Sequence, residues 1–442
     1  ASLDISGNID VDGVTNLDIV DIDGAVDMAS TLTVAGVLTG ASLDISGDID
    51  VDGVTNLDVV DIDGAVDMAS TLTVAGVLTG ASLDISGDID VDGTSNLDIV
   101  DVDVSLDVNG TIKLDGNYPT GTDNVALGDT ALDSLTSGNY NTAIGADALT
   151  AKTSGGVNTA IGWKALELGG AGDYNVGLGS KALQNNTGNY NTAVGTQSLL
   201  TNTTASNNTA VGFQSLKANT TGNANTAVGI TSLQANTTGA NNVAVGTDAM
   251  NANTEGADNV AVGVCALCKN TTGSNNIAIG KHTLDANTTA LYNIAIGGVA
   301  LTTNTTGCEN TALGYAALNL NLTGDKSVAV GYASLNKNTA DNNTAVGHSS
   351  LACNTSGDKN TALGCGALLA NTTAGCNTAV GQASLITNTT GCLNTAVGRQ
   401  SLEVNLTGDN NTGVGYRALN ANTSADSNTA VGFCSLAANT TG

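Results

Sequence analysis

A glycine that recurs at nearly every seventeenth position is the feature that most constrains how this chain can fold. From residue 124 onward, the motif Asn-Thr-Ala-Val-Gly or a close variant occurs 19 times. We call its last residue the anchor glycine. Sixteen of the 18 intervals between anchor glycines have the same length, seventeen, and the other two are one residue shorter. The anchor glycines stand at 128, 145, 162, 179, 195, 212, 229, 246, 263, 280, 297, 314, 331, 347, 364, 381, 398, 415 and 432. A fixed period of this length indicates a repeat architecture, in which each repeat contacts mainly its neighbours.

The residue types around the anchor glycine predict β-structure. The preceding residue is Val, Ile or Leu in every copy, and the residue three before the glycine is Thr, Val or Ile. Such residues favour strands, glycine permits a turn, and no period of 3.6 residues is visible within the repeat. Each repeat therefore reads as a strand–turn–strand–turn coil, and both 16-residue repeats lose a residue from the second turn. Parallel coils stacked about 4.8 Å apart would extend roughly 86 Å in all.

Three apolar columns are expected to form the interior of this stack. The residues one and three before the anchor glycine share a strand face, and the residue four after it is Leu in every copy except Met250. We expect these side chains to point inward, beside small residues. Because aromatic residues make up only 2% of the chain, a single thin coil has little core. We therefore expect a second apolar face and association of chains, in a threefold arrangement.

The first part of the chain carries a different, acidic repeat. Residues 1–40 and 41–80 differ at two positions, and both contain short segments in which aliphatic residues alternate with Asp, Ser or Thr before a glycine. This alternation predicts short strands with a wet acidic face. Residues 1–120 hold 24 Asp and one Lys, which is −23 of the net charge of −29. Such a surface repels nucleic acid and anionic membranes. The sequence contains no run of 18 apolar residues, so it does not predict membrane insertion.

These patterns predict an all-β, fibrous repeat protein. We expect Asp-rich β repeats over residues 1–116 as a fibre shaft, a linker over 117–123, and a stacked parallel β-roll or β-solenoid over 124–442. The chain begins and ends inside a repeat, so we interpret it as a piece of a longer polypeptide.

Two residue patterns resemble parts of metal-binding motifs. Residues 48–53 read Asp-Ile-Asp-Val-Asp-Gly, which matches the first half of an EF-hand loop, although the twelfth position is Val59 and not Glu. The alternatives are a solvated acidic face or calcium bridging Asp48, Asp50 and Asp52 between strands or chains; calcium is the one cofactor that the sequence suggests. Cys265 and Cys268 form a lone C-x-x-C without the second pair that zinc needs, and we interpret this segment as a strand.

The other candidate sites are columns that repeat from coil to coil. Cys376 and Cys392 fall one column apart in adjacent coils, so they are either a coil-to-coil disulfide or free thiols. Asn-x-Thr sequons recur in one turn column, where Asn is either glycosylated or part of a hydrogen-bonded ladder. The column after the anchor glycine is the most varied and is either a contact stripe for a glycan or receptor or an inter-chain packing surface. The sequons include Asn202, Asn219, Asn236, Asn270, Asn287, Asn304, Asn388 and Asn439, and the stripe contains Trp163, Phe213, Tyr315, Tyr332, Tyr416 and Phe433.

No residue set predicts catalysis. His282 and His348 are the only histidines, and neither falls in a Ser/His/Asp or Cys/His pattern. The glycines occupy a fixed turn column, which does not indicate a phosphate-binding loop. We therefore expect a protein that is not an enzyme.

The second repeat resembles known fibre proteins. Segments 208–216 and 394–402, which read Asn-Thr-Ala-Val-Gly-x-x-Ser-Leu, are similar to the YadA-type head repeat of trimeric autotransporter adhesins, and 276–280 and 327–331 come closest to it. The Asn-Thr-Thr-Gly at 219–222 is similar to arrays in viral tail-fibre proteins, phages included. The resemblance implies a left-handed parallel β-roll in a homotrimer. Head repeats of the family are usually shorter than those of this chain, so each coil here needs a larger second turn.

Three functions follow as expectations. The first is an extracellular structural fibre, a viral tail fibre or similar surface appendage that extends a binding tip toward a cell-surface glycan or receptor. The second is a bacterial trimeric adhesin or an extracellular filament subunit. The third is ice binding through repeated Thr columns, which the predicted inward orientation of Thr argues against.

Overall fold

The structure is a computed structural model that describes residues 31, 33, 35–37, 123–170 and 172–441. The chain divides into two units, residues 1–103 and residues 104–442. All of the strands among the described residues lie in the second unit. The acidic repeat with Asp48, Asp50 and Asp52 lies outside the described residues, so the calcium hypothesis stays a prediction.

The described chain contains 19 strands of three residues each, one strand in every repeat. Each strand ends directly before an anchor glycine. The strands are Val125–Leu127 (β1), Thr142–Ile144 (β2), Thr159–Ile161 (β3), Val176–Leu178 (β4), Thr192–Val194 (β5), Thr209–Val211 (β6), Thr226–Val228 (β7), Val243–Val245 (β8), Val260–Val262 (β9), Ile277–Ile279 (β10), Ile294–Ile296 (β11), Thr311–Leu313 (β12), Val328–Val330 (β13), Thr344–Val346 (β14), Thr361–Leu363 (β15), Thr378–Val380 (β16), Thr395–Val397 (β17), Thr412–Val414 (β18) and Thr429–Val431 (β19).

Successive strands pair in parallel and in register, so equivalent residues of neighbouring coils lie side by side. Between β6 and β7, for example, Ala210 pairs with Ala227, and the residues on either side pair in the same way. The pairing continues from β1 to β19 in one sheet. The predicted stacked β-solenoid with one coil per repeat is therefore confirmed.

The predicted second strand of each coil is wrong, because that part of the coil is a series of turns. Gln214 and Leu216, two and four residues after an anchor glycine, have φ angles of 56° and 49°, and equivalent positions in the other coils behave alike. Left-handed residues do not continue an extended strand. Hydrogen bonds between coils nevertheless continue here: the Leu216 N–H donates to the Ser232 carbonyl at 3.0 Å.

The left-handed conformation at the leucine column serves to bring the leucine inside. A non-glycine residue in this conformation costs about 1–3 kcal/mol. Full burial of a leucine side chain contributes about 1.5–3 kcal/mol. Leu216 and its equivalents are fully buried, so the two contributions are of similar size. Glycine would remove the backbone cost but also the largest side chain of the interior.

The interior is made of alanine and leucine, and this overturns part of the sequence prediction. The alanine two residues before the anchor glycine is buried in nearly every coil, while its two strand neighbours are only half-buried or exposed. The Val and Thr columns, which were expected inside, therefore face outward. The leucine column is inside, as predicted, and so are the small residues three after the anchor glycine.

The narrow interior explains this choice of strand face. A Cβ placed on Gly177, which replaces alanine in β4, would lie 3.2 Å from the Ala182 carbonyl oxygen and 3.5 Å from Cδ1 of Leu166. A methyl group in this column thus already reaches van der Waals contact with leucine from the opposite wall. A valine or isoleucine there would overpack the coil, which typically costs about 1–3 kcal/mol. Only alanine and glycine occur at this position.

Two columns of buried asparagine hold the coils in register. In the column that precedes each strand, Oδ1 of Asn225 accepts the backbone N–H of Asn242 at 3.0 Å. In the turn column, Nδ2 of Asn236 donates to Oδ1 of Asn219 at 2.8 Å. Both columns also donate to one carbonyl, since Nδ2 of Asn225 and of Asn236 each lie 2.9 Å from the Gly239 oxygen. We call these the strand ladder and the turn ladder.

Each of the two 16-residue coils has one residue fewer than the other coils, and the missing position lies between the two ladders. Asn186 and Asn191 are five residues apart in one of them, as are Asn338 and Asn343 in the other, whereas a full-length coil has a spacing of six. The deletion therefore falls in the second turn, as predicted. Here the ladders also bond to each other: Nδ2 of Asn191 lies 3.2 Å from Oδ1 of Asn186, and Nδ2 of Asn343 lies 3.1 Å from Oδ1 of Asn338.

Replacing the two interior glycines by alanine tests the packing of this column. We expect Gly177→Ala to raise the free energy of unfolding by about 0.4–1 kcal/mol, because the new methyl contacts Leu166 and the unfolded chain loses freedom. Gly413→Ala is the matched control, since its Cβ would lie 2.6 Å from Oγ of Ser401, which must then move. Urea unfolding of both variants measures the difference. Equal stabilisation by both substitutions would contradict the packing described here.

Candidate binding surfaces of the solenoid

The outward side chains of the 19 strands form a continuous surface, which we call the outer face. It consists of the residues one and three before each anchor glycine. The first of these columns is apolar throughout, always Val, Ile or Leu, and the other mixes Thr with Val and Ile. Leu313 and Leu363 are 45% and 47% exposed, and most other members are half-buried only against their neighbours in the next coils. A monomer rarely leaves an apolar surface of this length uncovered.

Threonine occupies 12 of the 19 positions three before the anchor glycine. Thr209 and Thr226 pair across adjacent coils with their side chains on the outer face. Within the described residues, the hydroxyls of this column make no hydrogen bond to the protein. They are therefore available to water or to a partner along one side of the outer face.

The predicted contact stripe lies next to the outer face, directly after the anchor glycine. Trp163, Phe213, Tyr315, Tyr332 and Phe433 are exposed, as expected. Tyr416, the remaining member, is half-buried. The positions agree with the prediction of a surface column, whereas its role as a glycan, receptor or inter-chain contact stays a prediction.

Neighbouring members of this stripe stack on each other along the solenoid axis. The ring centroids of Tyr315 and Tyr332 are 5.6 Å apart, and those of Tyr332 and His348 are 5.2 Å apart. Tyr416 stacks on Phe433 at 5.2 Å and lies within 6.0 Å of the Arg399 guanidinium. Aromatic and cation–π contacts of this kind contribute about 0.5–1.5 kcal/mol each at such sites. The stripe thus also stabilises the stacking of coils.

A second aromatic column was missed by the sequence analysis. Tyr140, Tyr174, Tyr190 and Tyr292 share one position of the repeat, twelve after an anchor glycine or eleven in the short coil, and all are exposed. The rings of Tyr174 and Tyr190, in adjacent coils, stack at 5.0 Å with an interplanar angle of 7°. Four tyrosines at one repeat position, each directly before the Asn of an anchor motif, were a visible signal.

The sequon asparagines are members of the turn ladder. In the folded chain all of them except Asn439 are fully buried, and Nδ2 of Asn219 donates both to Oδ1 of Asn202 and to the Gly222 carbonyl. Sugar would have to be attached at that nitrogen. The geometry therefore favours the ladder over glycosylation. Side-chain bonds of 2.6–3.4 Å run from Asn186 to Asn321 and again from Asn338 to Asn439.

A third ladder, on the surface, was not predicted. It lies directly before the tyrosine column, where Asp, Asn and Ser recur. Their side chains accept the backbone N–H of the same column in the preceding coil: Cys308 N donates to Asp325 Oδ1 at 2.7 Å, and Asp325 N donates to Asp341 Oδ1 at 2.9 Å. These side chains replace the backbone carbonyl that a regular strand would supply. The repeated polar acceptor at this position was the signal.

The cysteines are all free thiols in this structure, including Cys376 and Cys392, whose disulfide stays a prediction. The segment of Cys265 and Cys268 is a turn and not a strand, although Leu267 between them is buried, as expected. Burial, followed by the neighbouring Cys265, raises the pKa of the Cys268 thiol to about 12. Cys268 is therefore protonated at neutral pH and a poor nucleophile.

Two further features are absent from the described residues. No group of three or more His, Cys, Asp or Glu is placed to hold a metal ion in that part of the chain. Within the same residues there is no helix with the length and apolar character that a bilayer crossing requires.

A lysine occupies the turn-ladder position in the second coil. Lys152 is 1% exposed and donates from Nζ to the Gly172 carbonyl, next to a coil in which Gly169 holds the equivalent position. Burial lowers the Lys152 pKa to about 8, and Asp173 offsets this only in part. The turn ladder proper begins one coil further along, at Asn186.

Comparison of the chain with models of known protein families and with curated protein sequences found no match.

Lys152 makes the stability of the solenoid dependent on pH. Because its folded pKa of about 8 lies below its ordinary value of 10.5, the unfolded chain binds more protons between these values. Stability should therefore rise with pH from about 8 to 10.5, and the full cost of burying the charge should apply below pH 8. Lys152→Met should remove this rise and stabilise the protein at pH 7 by roughly 2–3 kcal/mol. The Gly172 carbonyl keeps its second donor, Nδ2 of Asn158.

Chemical unfolding of wild type and Lys152→Met at pH 7, 8, 9 and 10 checks this expectation. The difference between the two proteins cancels the titration of tyrosines and cysteines. Lys269→Met, at a lysine that is not fully buried, is the control and should change stability little at any of these pH values. A constant difference between wild type and Lys152→Met across the range would contradict a buried, titrating lysine.

Proposed function

We propose that this protein is an extracellular structural fibre that associates through its outer face as a homotrimer and holds a binding surface away from a virion or cell. The observation that carries the proposal is the outer face itself, whose apolar column is repeated in all 19 strands. A viral tail fibre or a similar appendage is the favoured setting. A bacterial trimeric adhesin or extracellular filament subunit would use the same construction.

The interior supports a rod that needs help from partners. Each coil buries one alanine, one leucine and small or carboxamide side chains, which is little apolar surface for a coil of this length. Covering the outer face with other chains would add Val, Ile and Leu to the buried surface of every coil. Association then supplies stabilisation that the single chain lacks.

The ladders support the role of a straight and rigid spacer. Backbone pairs join every coil to the next, and the buried carboxamides of the two ladders add side-chain bonds over most of the solenoid. Eighteen intervals at about 4.8 Å give a rod of roughly 86 Å. Solvent-exposed aromatic columns lie along this rod and would serve attachment to a glycan or receptor.

Charge placed on the outer face should dissociate the assembly. We expect wild type to have about three times the 43.4 kDa mass of one chain and Leu313→Lys/Leu363→Lys to be monomeric, because burying lysine between apolar side chains is costly. Leu322→Lys/Leu406→Lys is the matched control, since these leucines are 50% and 47% exposed but lie outside the strands. Size-exclusion chromatography with light scattering gives the masses. A monomeric wild type at micromolar concentration would overturn the proposal.

Ice binding is a second candidate, because the Thr column lies outward and not inward. Twelve threonines occupy the first position of their strands in a regular parallel sheet. Their hydroxyls make no hydrogen bond to the described protein residues. Such a surface can order water at the spacing of the coils. The seven Val and Ile residues in the same column interrupt it.

Thermal hysteresis separates this candidate from the fibre. If the outer face binds ice, wild type at micromolar concentration should depress the freezing point below the melting point. Thr361→Lys/Thr378→Lys/Thr395→Lys should then abolish the effect, because three adjacent rungs of the surface are lost. Nanolitre osmometry measures it, and no hysteresis in wild type eliminates ice binding.

A further inference from the structure

The tyrosine column has tyrosine at three of its first four positions, near the start of the solenoid. Its first four members are Tyr140, Val157, Tyr174 and Tyr190. A surface cavity of about 350 Å³ lies at this point, lined by Tyr140, Val157, Tyr174 and Asp173 together with glycines of two adjacent turns. Between the two tyrosines, the column holds the shorter side chain of Val157.

The repeat fixes the width of this slot. Adjacent tyrosines of the column, Tyr174 and Tyr190, stack 5.0 Å apart. Tyr140 and Tyr174 are two coils apart, which corresponds to about 9.6 Å, or twice the spacing of parallel strands. A flat ring placed midway would lie about 5 Å from each tyrosine, a normal distance for contact with an aromatic face. The slot therefore has room for one ring, with Val157 as its floor.

Polar groups border the slot where a sugar would need them. Oδ1 of Asp173 accepts the Gly156 N–H at 2.7 Å, whereas Oδ2 has no hydrogen-bond partner among the described residues. The hydroxyls of Tyr140 and Tyr174 likewise make no hydrogen bond within that part of the chain. One fixed carboxylate acceptor and two hydroxyls are thus available around a site with apolar walls. Few polar groups on apolar walls are typical of small-ligand sites.

We propose that this slot binds one neutral pyranose ring of a glycan between Tyr140 and Tyr174. The C–H faces of the sugar would contact the two tyrosine rings, and a sugar hydroxyl would donate to Oδ2 of Asp173. The carboxylate disfavours an anionic sugar by like-charge repulsion. The slot gives the proposed fibre a defined glycan contact, and that biological role rests on the proposed function.

Saturation-transfer NMR on the full chain tests the proposal with simple probes. The probes are the methyl pyranosides of glucose, galactose and mannose, with 3′-sialyllactose as the anionic comparison and N-acetyltyrosinamide as an aromatic one. We expect millimolar binding of at least one neutral pyranoside. Tyr140→Ala should weaken that binding at least tenfold, because it removes one wall.

Val157→Tyr is the sharpest variant, because it fills the slot without disturbing the fold. Tyrosine already occurs at this position in other coils, with φ angles of 54–61° that match the 59° of Val157. The variant should unfold at the same or a higher temperature than wild type and should no longer bind the sugar. Tyr292→Ala is the matched control, since Tyr292 has no tyrosine two coils away in its column, and it should bind as wild type does.

The outcomes test sugar binding at the slot separately from assembly of the fibre. Binding of no neutral pyranoside, or equal binding by wild type and Val157→Tyr, overturns the proposal. Binding of N-acetyltyrosinamide alone also overturns it and assigns the slot to an aromatic side chain of a protein partner. Light scattering on the same samples reports assembly separately, so failure of the trimer and failure of sugar binding are read independently.

Discussion

The buried carboxamide ladders are the interaction on which the rest of this structure depends. A carboxamide carries both a donor and an acceptor, so identical asparagines stacked at the strand spacing satisfy one another without water. Asn219, Asn236 and Asn253 do this in successive coils at 2.8 Å. Such bonds form only if the asparagine lies at the equivalent position in each coil, which requires a nearly constant repeat length. Within the described residues, Ser334 Oγ is the only buried side-chain polar atom without a partner.

Because the ladders align every coil, each surface column becomes a straight line along the rod. A change of residue type at one position of a column then alters an otherwise regular surface only locally. Tyr174 and Tyr190 stack in adjacent coils, and a slot lies where Val157 stands between Tyr140 and Tyr174. The uniform Val, Ile and Leu column instead produces a long apolar face suited to association. Function in such a solenoid is thus set by the order of residues within a column.

The same regularity explains which sequence predictions failed. Alternation in a three-residue strand assigns Thr and Val to one face and Ala to the other, but either face could be inside. Ranking by hydrophobicity chose Val, whereas the structure buries Ala210 and Ala227. The informative signal was the absence of any residue larger than alanine in that column. The second strand failed for a related reason, since the left-handed φ of Leu216 leaves no trace in residue type.

The sequence by itself determined the period, the class of fold, the position of the anchor turns and the buried leucine column. These follow from local chemistry repeated 19 times. Only the tertiary structure decided which strand face is inside, because this depends on the distance across the coil to Leu166 and its equivalents. It also decided that Tyr140, Val157, Tyr174 and Asp173 meet at one slot. Their proximity arises from the stacking of successive coils, which brings together side chains that are distant along the chain.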